Sequence, residues 1–307
     1  MNPLLRIGVD VGGTNLRVGV VSGNRVLWEH RHEADFSHIC RSNPAPKALE
    51  KIIAELASSI GRARSQYPET ISAGIGFPGF IAPATGIVSL SPNLPGLRDV
   101  DIARPLAREL GMPVKIENDA LCAAYGEYLL LSPQPESLIY LGLGTGVGGG
   151  LILGGKPWPG QHGVSMEIGH LIVHPGGRHC GCGNRGCLEQ YASASGVALS
   201  YRELSKIERD AESIAALARQ GDPHAVEAFR YAAEALAAAL AHILKVLDVG
   251  SVVIGGGMCA AWPLLQPRFD ECLDADLIPA LRGRIRVTLA QAGDQAGMLG
   301  AALLAGA

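Results

Sequence analysis

Apolar and polar positions fall into a strand-and-helix rhythm along the chain. Arg6-Ile-Gly-Val-Asp10 and Leu16-Arg-Val-Gly-Val-Val21 read as short strands joined by Gly12-Gly13-Thr14-Asn15, and a third run centres on Val26-Leu-Trp28. The pattern predicts an antiparallel meander. Between Lys47 and Arg64, Leu49, Ile52, Ile53, Leu56 and Ile60 recur at helical spacing while Glu50, Lys51 and Glu55 lie off that stripe. This predicts a helix with one face on a sheet. Ile71 to Gly76 reads as a buried strand, followed by a Pro78-Gly79 turn and the loop Ser91-Pro92-Asn93-Leu94-Pro95-Gly96.

A related order returns further on. Val114-Lys-Ile-Glu117 is a short strand leading into Asn118-Asp119, and Ala120 to Leu131 is helix-like, which places Asp119 near a helix N-terminus. Ser137 to Leu143 and Gly148 to Leu153 pair around a glycine turn, echoing the unit at residues 6 to 21. Such an echo predicts a duplicated fold with one copy per domain. Residues 170 to 190 are too rich in Gly, Cys and His for a regular element. An Ala-rich helical stretch runs from Ile214 to Leu247, and Ser251-Val-Val-Ile254 is a buried strand ending in Gly255-Gly256-Gly257. A strand at Arg286 to Ala290 precedes a helix from about Ala296. With no low-complexity linker, the expected division sets residues 1–118 plus about 291–307 against 119–290, with the crossing near Asn118.

Length and charge narrow the class. A chain of 307 residues can bury two modest cores. Its 26 Lys and Arg against 29 Asp and Glu leave no basic stripe, which argues against nucleic acid. The uncharged runs Ser137–Gly155 and Val249–Pro267 approach membrane-spanning length but are broken by Gly or Pro, so no membrane partner is expected. Met1 to Ile7 contains no apolar signal run, and the cytoplasm is the expected compartment. Glycine stands out: 40 of 307 is about 13%, against about 7% on average. Without a collagen-like period, these glycines mark turns and places where backbone approaches a ligand.

Four constellations carry candidate chemistry. In Asp10-Val-Gly12-Gly13-Thr14-Asn15, glycines can admit phosphate oxygens to backbone N–H groups, Thr14 and Asn15 add donors, and Asp10 can face hydrated Mg²⁺; a tight hairpin turn is the plainer alternative. Gly142-Leu-Gly144-Thr145-Gly146-Val-Gly148 lacks the Gly-Lys-Ser/Thr of a Walker loop and runs into a strand, so it is a β-turn or a second phosphate hairpin. Gly255-Gly256-Gly257-Met258 can let an adenosine lie against bare backbone, or simply turn from strand to helix. His170 with Cys180, Cys182 and Cys187 suits tetrahedral zinc. Reduced thiols or a disulfide are the alternative there, and His174 and His179 compete with His170 as ligand. Cys40, Cys122, Cys259 and Cys272 are scattered singly and read as core or surface residues.

The Asp10-to-Arg17 hairpin, Glu167-Ile-Gly-His170 and Cys180-Gly-Cys182…Cys187-Leu-Glu189 resemble the ROK family of sugar kinases and repressors, with landmarks in order from Ile7 to about Gly300. The resemblance implies an α/β, actin-like ATPase fold: two ribonuclease-H-like domains flanking an active-site cleft. It implies Asp119 as catalytic base, and Asn93, Asn118, Glu167, His170 and Glu189 as sugar-binding residues together with Asp119. ATP and Mg²⁺ would engage Asp10, Gly12, Gly13, Thr14, Asn15, Gly144, Thr145, Gly146, Gly256 and Gly257. A structural Zn²⁺ on His170, Cys180, Cys182 and Cys187 would orient the imidazole toward sugar.

The implied reaction is ATP-dependent phosphorylation of the 6-hydroxyl of glucose or a related aldohexose. Gly163-Val-Ser165-Met166 departs from the Ala-Gly pair common before this glutamate in glucokinase-like members, which opens N-acetylglucosamine, N-acetylmannosamine, mannose and allose as substrates. Polyphosphate is an alternative donor. A repressor of the family carries a winged-helix domain ahead of the hairpin, for which an aspartate at residue 10 leaves no room; a non-catalytic sugar sensor is the other rival. A homodimer is the assembly the resemblance implies.

Overall fold

The computed structural model describes residues 4–306; Met1–Pro3, part of the stretch read against a signal segment, lie outside the described residues. Strands β1 (Leu5–Val11), β2 (Asn15–Ser22) and β3 (Arg25–Glu33) form the expected antiparallel meander. The third strand is longer than its apolar centre suggests. On β3 the rings of Trp28, His30 and His32 stack at centroid spacings of 6.1 and 5.4 Å, so polar aromatics continue the strand face.

Helices α1 (Phe36–Ser42) and α2 (Ala45–Gln66) follow, then β4 (Ser72–Phe77), parallel to β1. On α2, Ile52, Leu56 and Ile60 are wholly buried against Ile7, Val9, Val18 and Ile75. Each such side chain contributes about 1.5–3 kcal/mol. A small sheet of β5 (Phe80–Ile81), β6 (Val88–Leu90) and β7 (Arg98–Val100) interrupts the pattern before α3 (Ala103–Leu110). Strand β8 (Val114–Asn118) then pairs parallel to β4 and feeds α4 (Asp119–Leu130).

The same plan recurs in β9 (Leu138–Leu143), β10 (Val147–Leu153) and β11 (Lys156–Pro157). After the irregular segment come α5 (Glu189–Ala192), α6 (Ala194–Ser205), α7 (Ala211–Arg219) and α8 (Pro223–Leu247). The Ala-rich stretch is two helices because Gly221 turns left-handed and the Asp222 carboxylate caps α8, accepting from the Ala225 N–H at 2.8 Å. Strand β12 (Ser251–Gly255), α9 (Trp262–Asp276), β13 (Arg286–Leu289) and α10 (Ala296–Leu304) complete the chain. Strand order is β3-β2-β1-β4-β8 in one sheet and β11-β10-β9-β12-β13 in the other, the same topology twice.

The chain divides into two compact units: Met1–Glu136, Gly150–Ser165 and Gln291–Ala307 form one, Ser137–Gly149 and Met166–Ala290 the other. The crossing expected near Asn118 falls inside the first unit, because α4 packs extensively on α10 there. That contact depends on glycine: a Cβ on Gly300 would overlap the Cys122 carbonyl oxygen. Glu127 of α4, fully buried, accepts from the N–H groups of Gln291 and Ala292 at 2.7 and 2.9 Å and so holds the returning chain. Among the described residues, no helix is long and apolar enough to cross a membrane.

Candidate active site

In the first unit, the β1–β2 hairpin closes with the Gly12 N–H donating to the Asn15 carbonyl at 2.9 Å, while Asn15 Nδ2 donates to Thr14 Oγ1 at 3.0 Å. Gly12, Gly13 and Thr14 are exposed. Neither glycine takes a positive φ, and a Cβ on Gly13 would meet nothing within 4 Å. Turn geometry therefore does not require glycine at position 13, which favours a bare backbone kept for a ligand over the tight-turn alternative.

Asp10, half-buried between buried Val9 and Val11 on β1, packs against α10, where a Cβ on Gly297 would lie 2.8 Å from its carboxyl carbon. Burial, reinforced by the charge of Asp119 and opposed by Arg17, pushes Asp10 up to about 7. Two carboxylates that repel each other in this way suit a cation.

Asp119 is the first residue of α4, where the helix dipole favours an anion, and its Oδ1 accepts from the Ala120 N–H at 2.8 Å. The cap itself is Asn118: its Oδ1 accepts from the Leu121 N–H at 3.0 Å and its Nδ2 donates to the Gly79 carbonyl at 3.1 Å. Sequence reasoning overlooked Glu117, whose Oε1 accepts from the Asn118 N–H at 2.9 Å and whose carboxyl burial pushes upward. Asn93 is exposed on a turn anchored by buried Leu94 and Leu97. Ser91 Oγ on the same turn donates to the Pro78 carbonyl at 2.5 Å, so Pro78-Gly79 supports both this turn and the β8–α4 junction.

In the second unit, the turn at Gly144, Thr145 and Gly146 is tied down through its carbonyls, which accept from the Ala194 N–H at 2.9 Å, Ser195 Oγ at 3.0 Å and the Gly144 N–H at 3.0 Å. A Cβ on Gly144 would again meet nothing, whereas one on Gly146 would strike Glu189. Glu189 Oε2 accepts from the Val147 N–H at 3.1 Å, tying α5 to this turn. Gly256 has a structural reason, a φ of 86° against the Leu143 backbone, while Gly257 has open space at its Cβ position.

Glu167, His170 and Glu189 come together in this unit. Burial and the Glu189 charge raise Glu167, and His170 opposes them. His170 Nε2 lies 3.8 Å from Glu167 Oε2, while its Nδ1 is 3.6 Å from Cys180 Sγ. Cys182 and Cys187 bring their Sγ atoms to 3.6 Å, and all four candidate ligand atoms lie within 4.8 Å of one another. Tetrahedral zinc with bonds of about 2.0–2.3 Å requires edges of about 3.5–3.8 Å. The donor set fits. The sulfurs are too far apart for a disulfide, which needs about 2.05 Å, and all seven cysteines are free. The competing histidines are engaged elsewhere: His174 packs edge-on to Tyr191, and His179 Nε2 lies 2.8 Å from Arg185 Nη1.

The duplicated sheet topology with these hairpins is the actin-like ATPase fold. The chain belongs to the ROK family, which it matches over residues 6–307. It is 33% identical to a glucokinase of Thermotoga maritima, covering 98% of this chain and 97% of that protein. An N-acetyl-D-glucosamine kinase of Shigella boydii is 32% identical, with 97% and 98% covered. The crystal structure of a ROK family glucokinase from Streptomyces griseus in complex with glucose and AMPPNP superposes with a TM-score of 0.81 at 32% identity, covering 98% of each chain.

Proposed function

We propose that this chain is an ATP-dependent hexose kinase, an ATP:sugar phosphotransferase acting on the 6-hydroxyl of glucose or a closely related aldohexose. The observation that carries this reading is the near-complete match to glucokinases, 33% identical over 98% of the chain. Phosphoryl transfer passes through a loose transition state, so catalysis is mainly in-line positioning and charge neutralisation. Asp119, at the start of α4, would orient the attacking hydroxyl and take its proton. Glu167, His170 and Glu189, with Asn118 and Asn93, would hold the sugar hydroxyls. Backbone N–H groups of the two glycine hairpins would receive phosphate oxygens, and Gly257 the adenosine.

Asp10 would hold Mg²⁺, which would neutralise phosphate charge when bound. His170 Nδ1 and the three thiols would hold zinc, which would fix the imidazole orientation and leave Nε2 for the sugar. The resemblance also supports a homodimer working in the cytoplasm, which sedimentation and fractionation would check.

The deciding experiment is a coupled assay of ADP release with and without sugar, over glucose, N-acetylglucosamine, N-acetylmannosamine, mannose and allose. Glucose is expected to give the highest kcat/KM. The Shigella boydii relative favours a second reading, an N-acetylhexosamine kinase, which the same panel separates. Sugar binding without ADP release from any member would overturn both and leave a sensor.

A further inference from the structure

We infer that Met166 is a positioning residue for sugar recognition: its left-handed backbone, packed within the second unit, sets the placement of Glu167 and His170. The inference rests on the reading of those two residues as sugar-binding groups. Among the described residues, Asp99, Met166, Lys206 and Asp248 are the non-glycine positions with positive φ. Lys206 and Asp248 are C-caps of α6 and α8, where a left-handed residue ends a helix. Asp99 is of a type that tolerates this region. Met166, at φ 62°, has neither reason, and it sits in a turn directly before Glu167. A long unbranched side chain there is strained.

The backbone neighbouring Met166 is closely packed within each unit. Before it, Ser165 is fixed by its N–H donating to the Pro159 carbonyl at 3.2 Å and its Oγ donating to the Trp158 carbonyl at 2.6 Å. Gly163, itself left-handed, presses so closely on Ile81 that a Cβ would overlap the Ile81 carbonyl oxygen. After it, the Met166 carbonyl oxygen lies 2.6 Å from where a Cβ on Gly149 would be, and Gly169 is similarly pressed on the Val147 carbonyl. The His170 N–H then donates to the Glu167 carbonyl at 3.1 Å, closing the 3-10 turn Ile168–His170. The direction in which Glu167 leaves Met166 follows from this left-handed, closely packed backbone. Strain kept next to a binding group in an over-determined setting serves to preorganise that group.

Substitutions graded by tolerance of positive φ test this. Met166→Val and Met166→Ile, β-branched and poorly suited to the left-handed region, are expected to raise the glucose KM about tenfold while the KM for ATP stays within about twofold. Met166→Gly and Met166→Asn, which accept that region, are expected to rescue the glucose KM. Zinc content and Tm are measured alongside, to separate loss of positioning from loss of the fold. Should Met166→Ile fail to fold, Met166→Thr, smaller and still β-branched, is expected to show the same KM rise. A wild-type glucose KM in the folded β-branched variants overturns the inference, as does a Met166→Gly enzyme as defective as Met166→Val. Glu167→Gln is the separate control: if it leaves the glucose KM unchanged, the sugar-site reading fails whatever the Met166 series shows.

Discussion

Replacing Asp10 by asparagine isolates the electrostatics of the first unit. The folded chain holds the Asp10 proton up to about 7 rather than 3.8, through burial and the Asp119 charge, with Arg17 opposing and Asp294 adding slightly. A raised carboxylate pKa means that the folded state binds the proton more tightly than the unfolded one. Stability therefore falls as pH rises from about 4 to about 7, and the full penalty stands above 7. A shift of roughly three units at about 1.36 kcal/mol each sets a ceiling near 4 kcal/mol, and solvent reaching this partly exposed group lowers the expectation to about 2–3 kcal/mol.

Asp10→Asn removes that penalty without removing volume. Thermal unfolding without divalent cations should show the variant about 3–5 °C above wild type at pH 8, with the difference closing by about pH 5 as wild-type Asp10 takes up its proton. Millimolar Mg²⁺ with ADP should raise the wild-type Tm at pH 8 by binding linkage and leave the variant nearly unmoved. Equal Tm values at pH 8, or equal stabilisation of both proteins by Mg²⁺ and ADP, would refute the electrostatic reasoning.

Other expectations follow from the site and the packing. Asp119→Asn should keep sugar and nucleotide binding by calorimetry and lower kcat by about 10²–10⁴; near-normal turnover would remove it as base. Cys182→Ser should lower zinc per chain by metal analysis and raise the sugar KM together; a metal-free wild type with full activity would break that link. Gly144→Ala, with open space for the new methyl, should leave Tm within about 1 °C while raising the KM for ATP. Gly300→Ala should do the opposite, costing about 3 kcal/mol or more in urea unfolding, because its methyl would meet α4 backbone at Cys122 and Gly126 that cannot swing aside.

Much of the architecture was legible because its signals are local. A period of two residues marks β1 and β2, a helical stripe marks α2, and one His with three Cys within 18 residues mark the candidate metal cluster, all readable within one short window. The start of α4 was equally plain, although the side chain that caps it is Asn118 and Asp119 is left for other work. The small sheet β5 to β7 left no such trace, since strands of two or three residues are too short to show a period.

Glycine shows where local reading stops. The excess over the average composition was visible in the chain, but not which glycine served which purpose. Gly8, Gly74 and Gly300 admit close approach between β1, β4, α4 and α10, while Gly13, Gly144 and Gly257 face open space and remain for a ligand. Likewise, the partner of the buried acid in α4, Glu127, lies 164 residues away at Gln291. The left-handed backbone of Met166, whose carbonyl packs against Gly149, is another feature no short window of sequence shows. Sequence alone determined the repeated strand plan and the presence of a Cys/His cluster, because both are written in spacing between near neighbours. Tertiary structure decided burial, the raised Asp10, the division of the chain and the roles of the glycines, because each depends on which distant backbone comes within a few ångströms.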